Sequence, residues 1–303
     1  MNPGPQSKSD NKFTAKCRKH QSEYRAKHLN QPYGHGPTKN SKQTYGNMLV
    51  DGETTGSNFI SKAAFEFAKE KVEQKKINKY LTIDEFRLFN NMLSSMPMCF
   101  NLFSDLRALL KEDSNEASRI VTTLFREIQW IQTVREIDVE FIPTPIKEYT
   151  NDKSAFDAMI LVTTKDGGTG LISIETKYTD LLGSNTASDS LAKNQLVKEG
   201  AFFTESLVKQ LETEGYKQIH RNWLLTYAFA KKNGYNRFVN VVISPDEDTL
   251  SGSEIDELKK EMTNYQDTIM KISLQDFVGR GITCQNDGIQ KVMEKFNERY
   301  LRY

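Results

Sequence analysis

The sequence predicts an α/β protein, and three observations carry that reading. Apolar residues recur at helical spacing up to about residue 132. The period then shortens to two over three segments, 136–143, 155–164 and 170–177. Helical segments return afterwards on either side of one more apolar strand. The 303 residues carry 41 basic and 40 acidic side chains, with 37% apolar and 27% charged residues. That is too rich in large apolar residues for a disordered chain. No apolar run approaches the roughly 18–20 residues that span a bilayer. The N-terminal MNPGPQSKSDNK lacks the hydrophobic stretch of a signal peptide. Cys17, Cys99 and Cys284 are odd in number and far apart, which argues against a disulfide framework. The expectation is a cytoplasmic protein with no membrane contact.

Taken in order, residues 1–45 form the first region, read as a basic extended arm. They hold nine Lys and Arg, Lys19 and Arg25 among them, against only Asp10 and Glu23. The rest of the chain is slightly acidic. A basic arm on an acidic body suits a polyanion, nucleic acid first, and equally suits a solubilising tail. Cys17, His20, His28 and His35 fall in this arm, but their spacing matches no common zinc module.

Residues 46–112 read as a helical extension. Phe59, Ala63, Phe67 and Val72 lie near helical spacing, and Thr82 with Glu85 forms a capping box ahead of Phe86, Leu88 and Phe89. Pro97 reads as a break before an apolar stripe of Phe100, Phe103, Leu106 and Leu110.

Residues 113–303 read as the main domain. Asp113 and Glu116 cap a helix expected over 114–132, with Ala117, Ile120, Val121, Leu124, Ile128 and Ile131 on one side. The strands AFDAMILVTT and GLISIETK are joined by KDGGTG, a hairpin reversal. Helices at roughly 189–213 and 217–232, a strand ending at Pro245, a helix in SGSEIDELKKEM and a C-terminal helix complete the chain.

The chemistry sits on the hairpin. Its strands are apolar on both faces, as in sheets covered on both sides. Into them fall Asp157, Glu175 and Lys177. Glu175 and Lys177 share a face because side chains alternate. Asp157 joins that face if an odd number of residues separates paired partners, and a two-residue Gly167-Gly168 turn would send it to the other face. Pairing of 163 with 171 would set Asp157 opposite Lys177 and diagonal to Glu175. Two buried carboxylates and an ammonium require a cation or a substrate, or else they form a buried salt bridge.

Asp157 followed one hairpin later by Glu175-Thr176-Lys177, inside a helix–strand–strand–strand–helix–strand order, resembles the PD-(D/E)XK nuclease superfamily. SSMPMCFNLF and the terminal RYL are similar to a group of uncharacterised bacterial members of it. Phe156 stands where the pattern has proline. The resemblance implies a restriction-endonuclease-like core, a mixed sheet flanked by helices. It also implies a Mg²⁺-dependent nuclease or endonuclease acting on nucleic acid, DNA first, with Mn²⁺ able to substitute and a homodimer as one arrangement. Asp157 and Glu175 would ligate the metal with the carbonyl of Thr176, and Lys177 would position the attacking water. Glu127, at the edge of the apolar stripe of the 114–132 helix, is the helix acid expected to join the metal, with Glu140 in reserve. Gln195 or Gln210 would assist, and His220 and Arg221, like Lys19 and Arg25, would touch phosphate. The alternative is a catalytically inactive member of the same fold that binds nucleic acid or protein.

Overall fold

A computed structural model of the chain describes residues 2–180 and 191–303. Contacts within the chain divide it into two units. One holds the residues up to 109 together with 178–180 and 275–303. The other holds 110–177 and the described residues from 191 to 274. By contacts, then, the last two helices group with the N-terminal residues rather than with the sheet.

The first unit opens with α1 (Lys12–Tyr24), a π-helical turn (Arg25–Leu29) and a small ribbon of β1 (Gly34–His35) and β2 (Thr44–Tyr45). It continues through α2 (Gly52–Thr55), α3 (Lys62–Ile77), α4 (Glu85–Asn90) and most of α5 (Ser95–Glu112). The second unit runs α6 (Ser114–Leu124), β3 (Ile131–Phe141), β4 (Phe156–Thr164) and β5 (Thr169–Thr176). It goes on with α7 (Leu191–Gly200), α8 (Glu205–Glu214), α9 (Gln218–Lys232), β6 (Arg237–Ser244), α10 (Thr249–Glu261) and β7 (Ile269–Ser273). The chain then returns to the first unit with α11 (Leu274–Ile282) and α12 (Asp287–Tyr300).

The first unit corrects the extended arm. Residues 12–24 are helical, started by the Asn11 side chain, which accepts from the Thr14 N–H at 2.8 Å. Arg25 is fully buried. Its Nε donates to the Gly46 carbonyl at 2.7 Å, its Nη2 to Asn2 and Pro3 carbonyls at 2.9 and 3.0 Å, and its Nη1 to that of Gln31. A guanidinium spent on four carbonyls ties the segment together and is not offered to phosphate. His20 Nε2 lies 2.9 Å from the Glu298 carbonyl, and Gln21 Nε2 donates to that of Arg299 at 2.8 Å. The same segment therefore packs on α12. Pro97 sits in the first turn of α5, where no intrahelical partner is needed, so it does not break the helix. The cap of α4 is Asp84, accepting from the Arg87 N–H at 3.0 Å, rather than Thr82.

In the second unit the sheet order is β3-β4-β5-β6-β7. The β3, β4 and β5 strands are antiparallel neighbours, whereas β5, β6 and β7 run parallel. It is the mixed sheet flanked by helices that the sequence predicts. β7 is too short for its period to show in the sequence. The helix expected over 189–213 is two helices, α7 and α8, and residues 189 and 190 lie outside the described residues. Ala158, Ile160, Val162, Ile172, Ile174, Val239 and Val241 on one face, and Met159, Leu171 and Val242 on the other, are all buried, as a sheet covered on both faces requires. α9 lies on the face that carries Ser173 and Glu175, where Leu225, Ala228 and Phe229 pack with Met159, Phe156 and Leu171. Trp223, Leu224 and Tyr227 of the same helix join Phe202, Leu207 and Val242 in a second apolar cluster.

Candidate active site

Register decides where the charges meet. The pairs Ala158↔Ile174 and Thr163↔Thr169 leave five residues, 164–168, between the last partners. The number is odd, so Asp157 shares a face with Glu175. Continued by one step, the register sets Asp157 directly opposite Glu175, closer than the diagonal placement expected from the sequence. On the other side, Val139↔Ala158 and Phe141↔Phe156 bracket Glu140 and Asp157 as partners. Glu140, Asp157 and Glu175 therefore form one transverse row across β3, β4 and β5. Directly paired side chains stand about 4.5–5.5 Å apart at Cβ.

Each acid is held in a particular way. Asp157 Oδ2 accepts from the Thr176 N–H at 2.8 Å and the Thr176 hydroxyl at 2.9 Å. Glu175 is 5% exposed, with Oε1 accepting from Gln218 Nε2 at 2.7 Å and Oε2 from Asn222 Nδ2 at 2.8 Å. Lys177 is 6% exposed and places Nζ 2.9 Å from Glu175 Oε1 and 3.1 Å from Gln218 Oε1. Its N–H donates to the Ile243 carbonyl at 2.9 Å, which carries the β5–β6 ladder one residue past the strand end. Glu140 is buried and has φ of 51°, a left-handed conformation that costs a non-glycine residue free energy and gathers at functional sites.

The row is short of positive charge. Burial, then the charge of Glu175, then that of Glu140 push the Asp157 carboxyl well above its ordinary range, against the opposing pull of Lys177 and the Thr176 N–H. Oxygen-only donors clustered in this way suit a hard divalent cation. Among the described residues no three His, Cys, Asp or Glu side chains already close into a metal cage. Gln218, Asn222, Lys177 and Thr176 engage the oxygens instead.

Other expected participants lie elsewhere. α6 ends at Leu124 with Phe125 as its C-cap, so Glu127 is in the turn beyond it, exposed, with Arg126 Nε 3.7 Å away. That turn precedes the first residue of β3, whereas Glu140 is its tenth. At about 3.3 Å per residue, roughly 30 Å of strand separates Ile131, which follows that turn, from Glu140. Gln210 and Gln195 are exposed and donate to their helical neighbours Glu214 and Glu199 at 2.8 and 2.7 Å. His220 is buried and accepts the Lys217 N–H at 3.3 Å, so it caps α9 rather than meeting phosphate. Arg221 Nη1 donates to the Tyr216 carbonyl at 2.7 Å. Lys19 is exposed.

Gln218 and Asn222 are the residues that sequence reasoning missed. The signal was present: Gln218, Asn222 and Thr226 recur every four residues in a helix that, Thr226 apart, is apolar and buried from Trp223 to Ala230. Thr226 continues the ladder, its hydroxyl 2.6 Å from that of Ser173, which also accepts from Asn240 Nδ2 at 2.9 Å. The buried face of α9 is thus polar wherever β5 is polar.

The mixed five-stranded sheet flanked by helices defines a nuclease-like fold, and the acid row with Lys177 lies at one end of its β3–β5 strands. The family model of the PD-(D/E)XK nuclease superfamily matches residues 8–302, and the chain belongs to that superfamily. A search of curated proteins and a search of solved structures each found no match. No helix among the described residues is long and apolar enough to cross a membrane.

Proposed function

We propose that the protein is a Mg²⁺-dependent nuclease that hydrolyses phosphodiester bonds in DNA. The observation that carries this reading is the row of Glu140, Asp157 and Glu175 with Lys177 beside it. Asp157 and Glu175 would hold the cation, with Glu140, in place of Glu127, and the Thr176 carbonyl as further oxygen donors. When bound, the cation would lower the pKa of a water and screen the charge that builds on the scissile phosphate. Gln218 and Asn222 fix the orientation of the Glu175 carboxylate, and Thr176 fixes that of Asp157. Lys177, engaged by two acceptors, orients the water and a phosphate oxygen rather than removing a proton.

The test uses purified protein with plasmid and single-stranded DNA, in EDTA and then in Mg²⁺ or Mn²⁺. Cleavage should need the cation and vanish in Asp157→Asn and in Glu175→Gln, each shown by circular dichroism to be folded. DNA binding without cleavage under either cation would instead make the chain a binding module. Undiminished cleavage in both variants would move the active site elsewhere.

A further inference from the structure

A pocket of about 360 Å³ lies within the first unit, lined from the segment ahead of α1, from α1 itself, from the turns around β2 and α4, and from residues 179 and 180. Its wall carries a chain of hydrogen bonds that runs one way. Arg18 is clamped by Asp10, with Nη2 donating to Oδ1 at 3.0 Å and Nε to Oδ2, and its Nη1 donates to Asn47 Oδ1. Asn47 is buried, and its Nδ2 donates to Asn91 Oδ1 at 3.0 Å. The Leu93 N–H donates to the same Asn91 oxygen at 3.0 Å, which fixes the orientation of that amide, because a backbone N–H only donates. Asn91 Nδ2 is therefore the outer end of the chain. Among the described residues it has no partner, and on this half-buried side chain it stays open to solvent. Each bond polarises the next, so a guanidinium at one end strengthens the donor at the other. Arg87, in the helix that Asn91 caps, is exposed, lines the same pocket and pairs with no carboxylate among the described residues. Asp10 and Asp180 also line it, but Asp10 is taken by Arg18, and Asp180 Oδ2 accepts from Ser95 Oγ at 3.0 Å. What Arg87 and Asn91 leave open is donor capacity, which calls for acceptor oxygens.

We propose that this pocket binds one phosphate monoester of mononucleotide size. Its phosphate oxygens accept from the Arg87 guanidinium and from Asn91 Nδ2, and its organic body lies against Pro37, Tyr45, Met48 and Leu93. Phosphate suits the pair better than carboxylate does, because two of its oxygens can take the arginine fork while a third remains for the amide. The volume falls within the roughly 300–1,000 Å³ of small-molecule sites. The inference stands whether or not the acid row cuts DNA.

Titration calorimetry on the full-length protein in EDTA tests it. The probes are AMP and adenosine, and a short oligothymidylate with a phosphate or a hydroxyl at its 5′ end. At least one of the two phosphate-bearing probes should bind one to one at millimolar concentration or below, and its phosphate-free counterpart should bind about tenfold more weakly or not at all. Tighter AMP would identify a free mononucleotide as the source, and a tighter phosphorylated oligonucleotide the end of a nucleic acid. Arg87→Ala, at an exposed position, should weaken binding by about tenfold with the melt unchanged, as loss of a charged hydrogen bond does. Asn91→Asp keeps the oxygen that accepts from Leu93 and Asn47 but turns the outer donor into an anion, and should abolish binding. No binding by either phosphate-bearing probe overturns the proposal, and so does equal binding of its phosphate-free counterpart. Unchanged affinity in Arg87→Ala overturns it too, whether or not Asn91→Asp folds.

Discussion

Asp157 keeps its proton to a higher pH than an ordinary aspartate because burial and two facing carboxylates both disfavour its charge. The folded-state pKa lies above the unfolded one, so the stability it contributes is complete below the ordinary aspartate value of 3.8 and is lost as pH rises through the folded value. In EDTA, wild-type stability should therefore fall with rising pH relative to Asp157→Asn, whose amide oxygen still accepts from Thr176. Mg²⁺ or Mn²⁺ should narrow the gap. Urea melts across a pH series measure both effects, and a variant less stable than wild type at neutral pH without metal would refute the charge argument. Lys177→Arg keeps a cation but replaces a compact ammonium with a planar fork. Cleavage by that variant should fall yet stay measurable, and complete loss with intact Mn²⁺ and DNA binding would assign Lys177 the role of base. Asp157, Glu175 and Lys177 were legible because each interrupts an apolar strand. Glu140 was harder to single out, since EIDVEF carries Glu136, Asp138 and Glu140 at period two and only the pairing with β4 selects one of them.

At the scale of the element, α9 brings the site together, since its first turns hold Gln218 and Asn222 against Glu175. Asn222→Leu should cost about 1–3 kcal/mol, because Glu175 Oε2 would lose its donor inside the fold. A thermal melt reads this directly, and an unchanged midpoint would mean that another group replaces the amide. The same turn carries His220, with a folded pKa of about 4 against 6.5 when unfolded. Its stability contribution is complete above 6.5 and is lost as pH falls towards 4, at most about 3 kcal/mol. His220→Gln should flatten that part of the pH–stability curve, and an unaltered curve would place the dependence on other groups. Elements longer than three turns with clean apolar stripes were readable from the chain. Their ends were less so, and the end of α6 mattered most. Ile128 and Ile131 continue the spacing of the stripe past Leu124, but they belong to the turn and the strand that follow. Glu127, the expected helix acid, lies on that turn. Residues 12–24 escaped for the opposite reason, being helical with few apolar residues and buried through Cys17, Gln21 and Ser22.

For the molecule as a whole, the basic N-terminal region has to be judged as part of a packed unit. Deleting residues 1–45 would remove buried Cys17, Gln21 and Arg25, so the expected result is a lower melting temperature or insolubility, which says nothing clean about nucleic acid. Charge reversal at exposed Lys19 is the sharper experiment. Lys19→Glu should leave the melt unchanged, weaken DNA binding and reduce the slope of log affinity against log salt by about one. An unchanged slope would remove Lys19 from the contact. By contacts, the helical extension expected over 46–112 groups with α11 and α12. Phe277 in α11 packs edge-on to Phe103 in α5 at 5.9 Å, and Tyr300 Oη in α12 accepts from Asn101 Nδ2 at 3.0 Å.

That return of α11 and α12 to the first unit sets a timetable for synthesis. Every strand of the five-stranded sheet is encoded before residue 274, whereas the unit that begins with α1 is completed only by residues 275–303. During synthesis, the residues of the sheet-bearing unit are therefore all made before those that complete the unit begun by α1. A released chain truncated at residue 274 would keep every strand of the sheet while Phe103 and Asn101 lack their C-terminal partners, Phe277 and Tyr300.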